Sequence, residues 1–191
     1  MAQKFPILDI IKPIDEIKNK YGSFILINTN FFYGNGNSGL ESRFTDLGDG
    51  WDSYTVRDDE ARLKFVNRWK HEHKIMANFV ALIHRLSIVF PNKNFILRPH
   101  PGENPDTYRA VFKDVKNVFI VKKGSVSPWI MASDLLIHDG CTTAVEAYIA
   151  EVPIINYKSE IDPEIDLELP NQLGVSCRTD VEVIELIKNI N

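Results

Sequence analysis

Short, uninterrupted apolar runs alternate with stretches of helical periodicity along almost the whole chain. Phe24-Ile25-Leu26-Ile27 offers no polar position to turn toward water, which predicts a strand buried on both faces, as in a parallel sheet. Comparable runs lie at Phe95-Ile96-Leu97, Val118-Phe119-Ile120-Val121, Leu135-Leu136-Ile137 and Pro153-Ile154-Ile155, with Gly174-Val175-Ser176-Cys177 a weaker sixth. Between them, residues 58–90 carry Phe65, Trp69, Met76, Phe79, Ile83 and Leu86 at helical spacing, with a break expected at the polar stretch around His71. Asn104-Pro105 and Ser127-Pro128 each set a capping side chain before a proline suited to the first helical position. Thr179 and Glu182 have the spacing of a capping box at the start of a last helix. The alternation predicts an α/β fold: one doubly wound, Rossmann-like domain over residues 21–191, with a six-stranded parallel sheet in the order 3-2-1-4-5-6. Two segments leave the rhythm and read as long loops, residues 31–57 (Gly, Asn, Asp and Ser rich) and residues 158–171 (five acids and two prolines). Residues 1–20 read as a linker or N-terminal tail.

Composition narrows the class. With 191 residues, 44% hydrophobic and 25% charged, the chain suits one globular domain with its own core. Its 22 basic and 26 acidic residues leave a net charge of −4, the wrong sign for a dedicated nucleic-acid binder. No apolar run approaches the roughly 20 residues that span a bilayer, and no signal-peptide layout opens the sequence. Cys141 and Cys177 form neither a CxxC pair nor a metal-ligand spacing, so a reducing cytoplasm is expected, with no metal and no cofactor.

In a doubly wound sheet, ligands bind beyond the carboxyl ends of the strands where the strand order reverses. That rim is predicted to carry Asn28-Thr29-Asn30, Arg98-Pro99-His100-Pro101 and His138-Asp139-Gly140. His138-Asp139-Gly140-Cys141-Thr142-Thr143 runs from strand through a glycine turn to hydroxyl residues at a helix start. It is either an anion site built on free backbone N–H groups or a well-capped helix. Glu146, in the next turn, either complements the helix dipole or accepts hydrogen bonds from ribose hydroxyls. The prolines around Arg98 and His100 stiffen both, which suits a preformed anion or base contact as well as a surface turn. Sharper-looking matches fail on context. Gly34-Asn35-Gly36-Asn37-Ser38-Gly39 spells GxGxxG, but it neither closes the strand nor opens a helix. His71-Glu72-His73 has the wrong spacing for a shared metal and reads as a solvated helix face. Lys122-Lys123-Gly124-Ser125 lacks the upstream glycine of a P-loop. Cys141 at a helix start would need His100 or His138 as base to act as a nucleophile.

The run from Pro128-Trp129-Ile130-Met131-Ala132-Ser133-Asp134 through His138-Asp139-Gly140-Cys141-Thr142-Thr143-Ala144-Val145-Glu146-Ala147 to Pro153-Ile154 resembles the donor-binding half of GT-B glycosyltransferases. UDP-N-acetylglucosamine 2-epimerases share that layout. More narrowly, Phe24 to Asn30, Arg98 to Pro105, Gly124-Ser125-Val126 and Leu169-Pro170-Asn171 resemble the bacterial surface-carbohydrate (surface polysaccharide) biosynthesis proteins. The resemblance implies a GT-B C-terminal-domain-like fold that binds a nucleotide sugar, CMP- or UDP-linked, without a metal. It places His100 and Pro101 on the nucleotide, Gly140, Cys141, Thr142 and Thr143 on the phosphate, Glu146 on the ribose, and Gly124 and Ser125 against the base. Asn30, Arg98 and His138 join them on the rim, and Asp139 stands where Asn is expected. No catalytic residue is implied within the chain.

A GT-B enzyme needs a second Rossmann-like domain for the acceptor, and 191 residues hold one. The glycan acceptor is therefore expected to reach the site through another domain or a partner chain, with the isolated chain inactive. Two alternatives stand beside the transferase reading: half of an epimerase-like isomerase, and a non-catalytic nucleotide- or carbohydrate-binding module.

Overall fold

The computed structural model describes residues 8–38, 58–163, 166 and 168–190. Each apolar run becomes a strand: β1 (Phe24–Asn28), β2 (Asn94–Arg98), β3 (Val118–Ile120), β4 (Leu135–His138), β5 (Ile154–Tyr157) and β6 (Val175–Cys177). They form one six-stranded sheet in the order β3-β2-β1-β4-β5-β6, with every pair parallel. The expected order 3-2-1-4-5-6 is thus the observed one. All five residues of β1 are buried, as a central strand covered on both faces requires.

Alternate residues of the strands feed two cores. On one face, Ile25, Ile27, Phe95, Leu97, Leu135 and Ile137 meet the stripe Ile75, Phe79, Leu82, Ile83 and Leu86 of α2 (Asp59–Val89). Tyr108 of α3 (Pro105–Val111) and Val183, Ile184 and Ile187 of α7 (Asp180–Asn189) complete that core. On the other face, Phe24, Leu26, Ile96 and Leu136 pack with Ile17 of α1 (Leu8–Tyr21), Ile130 of α4 (Ser127–Ala132) and Ala147 of α5 (Thr143–Ile149). Each Ile, Leu, Val or Phe side chain among them, fully buried, contributes roughly 1.5–3 kcal/mol.

Four local expectations change. Much of the segment read as linker or tail is α1, whose Ile14, Ile17 and Tyr21 lie against the second core despite Pro13 inside the helix. α2 runs 31 residues without a break at His71; Glu72 there faces inward rather than to solvent. Ser127 does not cap α4, because Val126 holds the N-cap position and the Ser127 hydroxyl donates to Glu146 Oε2 at 2.7 Å. The loop read at residues 158–171 contains a short helix, α6 (Glu168–Asn171), tied to β5 where Asn156 Nδ2 donates to the Asn171 carbonyl at 3.0 Å. The GxGxxG stretch ends at Gly39, and the rest of the loop to residue 57 likewise lies outside the described residues. No helix among the described residues is long and apolar enough to cross a membrane.

Candidate functional site

Polar residues take over where the strands end. Arg98, Asn28, His138 and Asn156 are neighbours in register across β2, β1, β4 and β5, on the face covered by α4 and α5. All four are buried. Above this row, between β1 and β4 where the strand order reverses, lies a crevice of about 190 Å³. Asn28, Thr29, Arg98, His100, Lys122 and Thr143 supply its polar lining; Pro99, Pro101 and Val126 supply apolar walls. Its charged side chains are both cations, Arg98 and Lys122.

The His100-Pro101 turn is built on a buried carboxylate. Glu103, fully buried, accepts from Thr29 Oγ1 at 2.8 Å, Tyr108 OH at 2.5 Å and the His100 backbone N–H at 3.0 Å. The Glu103 anchor therefore clamps the turn to the end of β1. Gly102 lets Phe32 lie against the turn, since a Cβ there would sit 2.5 Å from the ring. The Gly102 N–H donates to His100 Nδ1 at 3.1 Å, which ties the ring to the turn and makes Nδ1 an acceptor. Asn37 N donates to the Gly102 carbonyl at 2.9 Å and Asn104 N to the Asn35 carbonyl at 2.7 Å, which lays the glycine-rich segment beside the turn.

Arg98 is more committed than its sequence suggests. Its Nη1 and Nη2 donate to the carbonyls of Lys123 (3.1 Å) and Gly124 (2.8 Å), and its guanidinium lies 5.0 Å from the Trp129 ring centroid. Burial lowers its pKa to about 10, still charged at neutral pH. Arg98 thus fixes the β3–α4 loop that walls the crevice while keeping its charge beside it. Lys122 Nζ donates to the Glu103 carbonyl at 2.5 Å and to Asn37 Oδ1 at 3.3 Å.

On the β4–α5 side, Gly140 has φ +59, a turn that favours glycine, and this delivers Cys141 and Thr143 to the crevice. Asn28 Nδ2 donates to Thr143 Oγ1 at 2.9 Å, which in turn donates to Cys141 Sγ at 3.1 Å. His138 lies below, fully buried, its Nδ1 accepting from the Cys141 N–H at 3.3 Å. Burial first, and the charge of Lys158 second, lower the His138 pKa to about 4, so it is a neutral support. Burial pushes the Cys141 thiol up, away from the thiolate that a nucleophile needs.

The rim residues therefore separate. Arg98, His100, Pro101, Gly124, Cys141 and Thr143 surround one crevice. Ser125, Thr142 and Glu146 stand exposed beside it in sequence, Glu146 held by Ser127. Asn30 and Gly140 border a second cavity, of about 270 Å³, which opens toward α2. Asn28 and Thr29 stand on the rim as expected, and Lys122, from the failed P-loop match, joins them there. Its basic character after a strand was the available signal. Glu72 was missed altogether. Its carboxylate accepts from Tyr33 N (2.7 Å), Gly34 N (3.1 Å) and Arg68 Nε (3.2 Å) inside the second cavity. Desolvation by burial outweighs these contacts and raises its pKa to about 7. Among the described residues, no group of His, Cys, Asp and Glu has the arrangement of a metal site.

No family model matches the chain, and no curated protein matches it. Solved structures do. The UDP-GlcNAc 2-epimerase of Methanocaldococcus jannaschii in complex with UDP-GlcNAc and UDP is similar at TM-score 0.52 and 14% identity, over 95% of this chain and 41% of that one. The UDP-GlcNAc 2-epimerase of Neisseria meningitidis bound to UDP-GlcNAc gives 0.52 and 14%, over 96% and 40%. The E. coli heptosyltransferase WaaC with ADP gives 0.50 and 13%, over 91% and 46%. The chain spans less than half the length of each. What it shares with them is the fold, that of one Rossmann-like half of a GT-B enzyme.

Proposed function

We propose that this chain is the nucleotide-sugar-binding half of a glycosyltransferase of surface polysaccharide biosynthesis, acting in the cytoplasm on a CMP- or UDP-linked donor. The observation that carries the reading is the crevice at the switch point of the sheet, whose two charged side chains, Arg98 and Lys122, are both cations. A diphosphate or phosphodiester brings one or two negative charges, and two fixed cations in a partly buried crevice offset them without a metal ion. In this reading the phosphate lies between Lys122 and the Gly140–Thr143 turn, and His100 and Pro101 face the nucleotide. The loop at Gly124 and Ser125 lies along the base, and Glu146 meets the ribose. The acceptor comes on a second domain or a partner chain, so the isolated chain binds donor without turning it over.

Calorimetry of the purified chain against CMP, CDP, UDP and UDP-N-acetylglucosamine tests this. One of these nucleotides should bind, insensitively to EDTA, and Lys122→Met should weaken it by roughly 1.5–3 kcal/mol, the size of a charged hydrogen bond. No binding by any of the four would sink the proposal. One feature favours the epimerase-like alternative: Glu72, whose burial raises its pKa to about 7, lines the second cavity at the same end of the sheet and could exchange protons at neutral pH. Deuterium uptake from heavy water into UDP-N-acetylglucosamine would support that chemistry, and its loss in Glu72→Gln would assign it.

A further inference from the structure

The cavity of about 270 Å³ on the α2 side differs in chemistry from the crevice. Its lining holds two cations, Arg68 and Lys158, against three carboxyls, Glu72, Asp139 and Asp166. Both cations are already paired. Arg68 Nε lies 3.2 Å from Glu72 Oε1, and Lys158 Nζ donates to Asp139 Oδ1 at 2.5 Å and Asp166 Oδ1 at 2.6 Å. Lys158 and Glu72 are 6% and 5% exposed, so these pairs are built into the fold rather than swept together on its surface. A phosphate entering here would meet three carboxyls at close range. A metal ion would have to displace the ammonium seated between two of them. Neither charge sign is welcome, which leaves a neutral ligand with many hydroxyls.

The remaining walls agree. Phe31 and Ile75, 2% and 3% exposed, give an apolar floor. His71 Nε2 is buried and has no hydrogen-bond partner among the described residues. A pyranose ring presents that combination, with C–H groups on one face and hydroxyls around the edge that both donate and accept. The volume lies just under the roughly 300–1,000 Å³ of drug-sized sites, enough for one ring.

We propose that this cavity is a saccharide site, holding one neutral pyranose with Phe31 and Ile75 under its C–H face and the Lys158 cluster and Arg68–Glu72 pair on its hydroxyls. It is separate from the nucleotide crevice, and its ligand class follows from the cavity itself. Asn30 and Gly140 line this cavity while their chain neighbours Thr29 and Cys141 line the crevice, so a sugar here lies next to the nucleotide site without needing nucleotide to bind.

The test is an amide NMR titration of the full chain with N-acetylglucosamine, in the presence and absence of saturating UDP. The expected result is millimolar binding that shifts the amides of Gly34, His71, Ile75 and Gly140, with the same affinity in both conditions. Arg68→Met and Asp166→Asn should each weaken it roughly tenfold. No shifts in the millimolar range, shifts confined to Gly124 and Thr143, or displacement of the sugar from the cavity by inorganic phosphate would overturn the proposal. If UDP moves no crevice amide while the sugar binds as described, the nucleotide reading falls and this one stands.

Discussion

Glu72 and His138 are buried titratable side chains whose environments push in opposite directions. His138 falls from 6.5 to about 4, so stability drops as acid protonates the unfolded chain but not the folded one. Glu72 rises from 4.5 to about 7, so stability drops as pH rises through that range, because the unfolded chain ionises there while the buried carboxyl keeps its proton. Each effect reaches about 3 kcal/mol when fully developed. Between pH 4.5 and 6.5 the two offset each other, and above 6.5 Glu72 acts alone. Glu72→Gln should therefore gain stability relative to the native chain as pH rises through that window. Urea denaturation of both proteins at acid and neutral pH checks this; a difference independent of pH would contradict it. Gly102 is a second residue with a definite expectation. A methyl group there would press on the Phe32 ring, and Gly102→Ala should cost roughly 1–3 kcal/mol and disturb the His100 turn. Thermal unfolding and the His100 ring resonances would report both.

At the scale of elements, the six strands were legible because runs such as Phe24 to Ile27 leave no polar face. The caps at Asn104 and Thr179 were legible because their chemistry is local. Asn104 Oδ1 accepts from Asp106 N at 3.0 Å, and Thr179 and Glu182 close the capping box reciprocally. Thr179→Ala should cost α7 roughly 0.5–2 kcal/mol, visible as a lower Tm. Helix α1 was not legible, since Pro13 and a polar surround obscured its one buried stripe. Nor was the inward turn of Glu72, whose partners Tyr33 and Gly34 come from a loop far away in sequence. Arg98 was legible as a rim residue but not in its role, because the carbonyls of Lys123 and Gly124 that occupy it belong to another loop. Its substitution therefore acts through that loop. Arg98→Lys, which keeps the charge but loses the two-pronged contact, should shift the Gly124 and Ser125 amides without ligand and weaken nucleotide binding nearly as much as Arg98→Met. If Arg98→Lys binds nucleotide like the native chain, the guanidinium acts by charge alone.

Over the whole molecule, the carboxyl ends of the strands divide into two chemistries. One side is a crevice whose charges are cationic; the other is a cavity whose two cations are each paired with carboxyls. The switch point itself follows from topology, which the alternation of elements dictates. The division of charge does not, because it depends on α2 and the segment after β5 meeting across the sheet edge. Whether the cationic crevice is a nucleotide site is decided by a crystal structure of the chain soaked with UDP or CMP. A phosphate should lie within hydrogen-bonding distance of Lys122 and Thr143, with the base along Gly124 and Ser125. A nucleotide seated instead in the α2-side cavity, or a crevice closed to both nucleotides in a crystal where it faces solvent, would contradict it.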